Sequence, residues 1–149
     1  MVIQRLQNLY LMIAAILIAV YAFISSLIVK AGEMVYAFDC IKVASQEGVK
    51  YLPVSMILAV LTFALIVISI AKFKDLKIQK SAVYRSTLIC AALVAYMVVN
   101  AYLVAEAMGA SLSFTWAIAL PVVAIVLQYL AVKGIKHDIK LLSDSDRIR

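Results

Sequence analysis

The sequence predicts an all-α fold: a membrane-spanning four-helix bundle, both termini cytoplasmic, with a short outer loop that has room for a small β-hairpin. Three observations carry this. Of the 149 residues, 66% are of AVILMFWYC types and 15% are charged, against about 45–50% and about 25% in soluble domains. The 22 charged residues fall between four long uncharged runs. Lys and Arg are also distributed unevenly among the segments flanking those runs, and positive charge is retained on the cytoplasmic side.

Crossing a hydrocarbon core of about 30 Å takes about 20 apolar residues at 1.5 Å each. The runs of sufficient length are 9–29, 51–71, 86–105 and, after a turn read at Gly109–Ser113, 115–132. Continuous apolar runs lack the alternation of a membrane barrel, so helices are expected. The first run is longer than the apolar core of about 7 to 15 residues in a signal peptide and reads as a retained span.

Segments Met1–Asn8, Lys72–Arg85 and Lys133–Arg149 together hold 11 Lys and Arg, whereas Lys30–Lys50 and Glu106–Phe114 hold 3. The whole chain reads as a single transmembrane domain with N-in, C-in topology. In the outer loop, Met34–Phe38 and Ile41–Val43 are rich in β-branched and aromatic residues around Asp39, the composition of a hairpin. Beyond the fourth span, Ile135, Ile139 and Leu142 recur at helical spacing, so a cytoplasmic helical extension is expected over about 133–142.

The composition excludes several chemistries. The single histidine, His137, lies in the tail, so bis-His haem ligation is excluded and a metal cage is not expected. Cys40 lies in the outer loop and Cys90 near the inner end of the third span, roughly 20 Å or more apart, too far for a disulfide. Cys40 is expected to react with an impermeant maleimide and Cys90 is not. The spans carry no Asp, Glu, Lys or Arg to relay protons or ions. Asn100 and Gln128 are the strongest intramembrane polar residues; they fall in opposite halves of the bilayer and are expected to make interhelical hydrogen bonds. Pro121 is expected to loosen or kink the fourth span. No nucleophile–base pair can be assembled, so the protein is expected not to be an enzyme and to need no cofactor.

The cytoplasmic side is basic. Lys72, Lys74, Lys77 and Lys80 of the middle loop, with Lys133, Lys136, Lys140, Arg147 and Arg149 of the tail, form a collar that attracts anionic headgroups. Nucleic acid is a poor partner for it, since no folded basic domain presents the charges.

Three stretches resemble the bacterial family called domain of unknown function 4293. They are Ile3-Gln4-Arg5-Leu6-Gln7-Asn8-Leu9-Tyr10-Leu11; Phe73-Lys74 with Lys77-Ile78-Gln79; and Leu130-Ala131 with Gly134-Ile135-Lys136, Asp138, Leu141-Leu142 and Asp146-Arg147-Ile148-Arg149. Asp75-Leu76 and Ser143-Asp144 depart from the pattern. The resemblance implies a four-span inner-membrane protein of double-membraned bacteria and supplies no catalytic residue.

The expectation is therefore a non-enzymatic accessory or assembly subunit of a larger inner-membrane complex. Its partners would be anionic lipid headgroups and a membrane-protein subunit, docked through Lys74, Lys77, Gln79, Asp138, Asp146, Arg147 and Arg149. The rival is a small transporter or lipid-binding protein with a cleft lined by Asn100, Gln128, Tyr96 and the bend at Pro121.

Overall fold

The computed structural model describes residues 2–147, with side chains from Leu6 to Asp144. Four long helices, α1 (Val2–Phe23), α2 (Pro53–Ala71), α3 (Leu76–Ala107) and α4 (Ala119–Arg147), are each long and apolar enough to cross a membrane. Five strands accompany them: β1 (Leu27–Ala31), β2 (Met34–Phe38), β3 (Lys42–Ser45), β4 (Gly48–Tyr51) and β5 (Ser111–Phe114). The all-α expectation is therefore wrong. The fold is mixed, a four-helix bundle joined to an antiparallel sheet in the order β4-β3-β2-β1-β5.

The correction has a local cause at each strand. A strand buried on its inner face reads in sequence like a stretch of buried helix. Leu27-Ile28-Val29 extends the apolar run of α1 without a break, yet α1 ends at Phe23 and Leu27 and Val29 are fully buried in β1. Gly32 at φ +62 then begins a two-residue hairpin loop, a conformation glycine adopts without steric cost. Asp39 closes the β2–β3 turn by accepting the Lys42 backbone N–H at 2.8 Å. The segment read as a plain turn, 109–113, instead leads into β5, which pairs with β1 in the register Leu27↔Phe114 to Lys30↔Ser111.

The helices form a ring in which α1 touches α2 and α4, and α3 touches the same two. The core stripe of α1, Leu11, Ala14, Ala15, Ile18 and Tyr21, has the spacing of one helical face. Tyr21 joins Leu27, Val29, Phe38, Leu93, Met97 and Ala101 in a second core that seats the sheet on the ends of α1 and α3. Helix α2 is largely inverted: with the single large residue Ile66 it buries Ser55, Ala59, Thr62 and Ser69, and it exposes Met56, Ile57, Val60, Leu61 and Val67. Its buried hydroxyls are satisfied by backbone carbonyls, Ser55 on Cys40 at 2.7 Å and Ser69 on Leu65 at 2.7 Å.

Pro121 sits in the first turn of α4, after a 3-10 turn over Trp116–Ile118. Its missing N–H removes no bond within the helix there, so the expected mid-span kink gives way to a helix start. Helix α4 continues to Arg147.

Cys40 also differs from expectation. It is fully buried beneath the sheet, and burial, its largest cause, pushes the thiol pKa up to about 12. The thiolate is the reactive form, and burial keeps Cys40 protonated at neutral pH. Cys40 should therefore resist an impermeant maleimide in the native state and react once dodecyl sulfate unfolds the sheet. Rapid native labelling, read by mass shift, would show that the sheet does not cover it.

Candidate functional site

Among the described residues, two clusters of side-chain hydrogen bonds join helices across the apolar interior. The first lies at the end of the bundle that carries both termini. Gln7 of α1, 2% exposed, donates through Nε2 to Asp138 Oδ2 of α4 at 2.8 Å. The next residue, Asn8, accepts through Oδ1 from Gln79 Nε2 of α3 at 3.0 Å. Two adjacent residues of α1 thus fasten α4 and α3 at the same level.

Gly134 makes the first of these bonds sterically feasible. A Cβ at that position would stand 2.9 Å from both Cγ and Nε2 of Gln7. Only the bare backbone lets Gln7 lie against α4 and reach Asp138, one turn further on. Gln7 Oε1 has no partner among the described residues.

The second cluster joins α3 to α4 deeper in the bundle. The Ser86 and Thr87 hydroxyls lie 2.5 and 3.1 Å from Gln128 Oε1, and both reach the Val83 carbonyl at 2.8 Å. One proton per hydroxyl cannot serve two acceptors. A half-turn of the Gln128 amide resolves this: its NH2, otherwise buried without a partner, then donates to hydroxyls that donate on to Val83. Nearby, Cys90 Sγ approaches the Pro121 carbonyl at 4.0 Å.

The residues expected to form a docking surface divide. Gln79 and Asp138 face inward, 1% and 8% exposed, and are held by Asn8 and Gln7. Lys74 and Lys77 are exposed, and both line a cavity of about 640 Å³ between the α2–α3 turn and the last turns of α4. Ile139 and Leu142 border the same cavity. Asp146 and Arg147 belong to the last turn of α4, but their side chains, and all of Arg149, lie outside the described residues.

Of the two intramembrane candidates, Gln128 spans helices as described. Asn100 instead donates to the Tyr96 carbonyl of its own helix at 2.8 Å and borders a separate cavity of about 440 Å³ beneath the sheet. Ser86, the contact of Gln128, precedes Asn100 by fourteen residues on α3, about 21 Å of helix. The structure does not bring Asn100 and Gln128 into one cleft.

Sequence reasoning missed Gln7, Asn8, Gly134, Ser86 and Thr87 as members of these clusters. For three of them a signal existed: Gln7, Asn8 and Gly134 all lie in the stretches that carry the family resemblance. Lys136 is fully exposed, with its ammonium 5.5 Å from the centroid of the Tyr84 ring. Among the described residues no group of His, Cys, Asp and Glu could hold a metal ion.

A family model described as a domain of unknown function (DUF4293) matches residues 3–148. No curated protein matches the chain.

The geometry at Gly134 makes two substitutions comparable. Gln7→Leu removes the donor and leaves the Asp138 carboxylate buried without it, at a cost of about 2–3 kcal/mol. Gly134→Ala displaces the same side chain and should cost about 1–3 kcal/mol through overpacking and loss of the bond. Since both act through one contact, the double variant should be less destabilised than the two singles combined, as measured by thermal unfolding in detergent. Strict additivity would separate Gly134 from the Gln7–Asp138 bond.

Proposed function

The chain belongs to the DUF4293 family, and on that premise we propose that it is an integral protein of the bacterial inner membrane, N-in and C-in, serving as a non-enzymatic accessory or assembly subunit. The observation that carries the membrane part is the inverted face of α2. In water a helix that buries mostly Ser, Thr and Ala, with one Ile, and exposes Met, Ile, Leu and Val would be unstable; in hydrocarbon the exposed face is solvated and the hydroxyls turn inward. Small buried residues also let helix backbones approach closely, which is how helices associate without a hydrophobic drive between them.

The orientation rests on the Lys and Arg asymmetry. In that orientation the Gln7–Asp138 and Asn8–Gln79 bonds would lie at the cytoplasmic end and the sheet outside.

The accessory role is supported by how the polar residues are used. Gln7, Asn8, Gln79, Gln128 and Asp138 bond to other parts of the bundle, so they fasten helices instead of facing a substrate. Exposed chemistry is concentrated on the cytoplasmic rim, where Lys74, Lys77, Ile139 and Leu142 border an open depression. A transporter cleft combining Asn100 with Gln128 has no such support, because the two lie at different levels.

Purification from native membranes in mild detergent should bring a stoichiometric membrane-protein partner. Charge reversal at Lys74 should release that partner while leaving the bundle folded. A lone species at native expression, by blue-native electrophoresis and mass spectrometry, would overturn the accessory reading. A reporter fused after Arg149 should be active only in the cytoplasm; activity outside would reverse the topology.

A further inference from the structure

We propose that the surface groove between the first turns of α3 and the last turns of α4 binds one anionic glycerophospholipid of the cytoplasmic leaflet, its phosphate at Lys77 and Lys80 and an acyl chain running along α3 to Leu88. The proposal rests on the membrane reading above and adds a defined site to it.

Two depressions meet in this groove. The first, of about 640 Å³, is bordered by Lys74, Lys77 and Ile139. The second, of about 520 Å³, shares Lys77 and Ile139 and continues past Lys80, Tyr84 and Arg85 to Leu88. Lys77, Lys80, Ser81, Tyr84 and Leu88 recur at intervals of three and four, so they follow one face of α3. Eleven residues of helix rise about 16 Å from the first to the last.

Along that face the chemistry changes in a fixed order. Lys77 and Lys80 come first, then the hydroxyls of Ser81 and Tyr84 with Arg85 donating to Ser81 Oγ at 3.1 Å, then Leu88, which is 72% exposed. A phospholipid presents the complementary order from phosphate through glycerol ester to acyl chain. The span assigned from sequence begins at Ser86, which puts the lysines at headgroup level and Leu88 in hydrocarbon. Lys136 adds a cation beside Tyr84 from α4. Asp75 is the acidic residue bordering the first depression, and it lies at the end farther from Leu88. An acidic protein segment would match the lysines but not the exposed leucine at the hydrocarbon boundary, so the gradient favours the lipid.

Each cation near an anionic headgroup strengthens binding about fivefold. The test uses the full chain, delipidated in neutral detergent, with the shift in thermal unfolding midpoint followed during titration. Phosphatidylglycerol should raise the midpoint in a saturable way, and phosphatidylcholine and glycerol 3-phosphate should not. Lys77→Gln with Lys80→Gln should weaken the phosphatidylglycerol response about 25-fold. Lys72→Gln with Lys133→Gln removes the same charge from positions that border neither depression, and should leave the response near wild type. Leu88→Gln should weaken it as well.

All five positions can be checked for folding by the midpoint without lipid. Equal loss in the two lysine pairs would reduce the site to a diffuse basic collar and overturn the proposal. So would an equal response to phosphatidylcholine, a response to glycerol 3-phosphate alone, or no effect at Leu88. Failure of the underlying membrane reading has a different signature: a chain that stays monodisperse after detergent removal.

Discussion

The hydrogen bond from Gln7 to Asp138 closes the ring of helices between residues 131 apart in sequence, and the arrangement at that end of the molecule depends on it. An apolar contact between α1 and α4 could slide or rotate at little cost. A buried carboxyl group held by a donor cannot, because losing the donor leaves a polar group without a partner where water does not reach it. Gly134 supplies the clearance, Asn8 carries the register across to Gln79, and the apolar stripes of α1, α3 and α4 pack in the phase these bonds set. The Ser86, Thr87 and Gln128 cluster repeats the principle deeper in the bundle with neutral groups.

The two ends of the molecule solve different problems. At the terminal end, side-chain hydrogen bonds fix the helices and leave the lysines of the α2–α3 turn on the rim. At the other end, backbone hydrogen bonds do so: β1 is held on both edges by β2 and β5, and Leu27, Val29 and Phe38 are pressed onto Tyr21, Leu93 and Met97. Each end is thereby braced by a network that spans segments distant in sequence.

Four helices were legible in the sequence because a run of 20 or so uncharged residues has few alternative meanings. The sheet was not. Strand β1 is concealed inside the apolar run that includes α1, and β5 is a four-residue Ser-Leu-Ser-Phe segment whose identity comes from its partner and not from its own propensity. Of the candidate site, the exposed lysines were legible as charge. The inward turn of Gln79 and Asp138 was not, because whether a polar residue faces solvent or a partner depends on what α1 places opposite it. Pro121 was misread for the opposite reason: its effect depends on its distance from a helix start that the sequence does not mark, since the uncharged run begins well before α4.

The strand order carries a consequence for assembly. Strands β1 to β4 form a meander that can pair as soon as the chain is made through Tyr51, yet β1 keeps one edge open until residues 111–114 arrive, after α2 and α3. The first strand synthesised waits for the last, and the intervening loop of two helices must close before the final ladder forms. Completion of the sheet is therefore a checkpoint: it can register only when α2 and α3 have returned the chain to the side on which β1 waits. A misplaced helix pair would leave β1 exposed as an unpaired edge, the kind of surface on which chains aggregate and quality control acts.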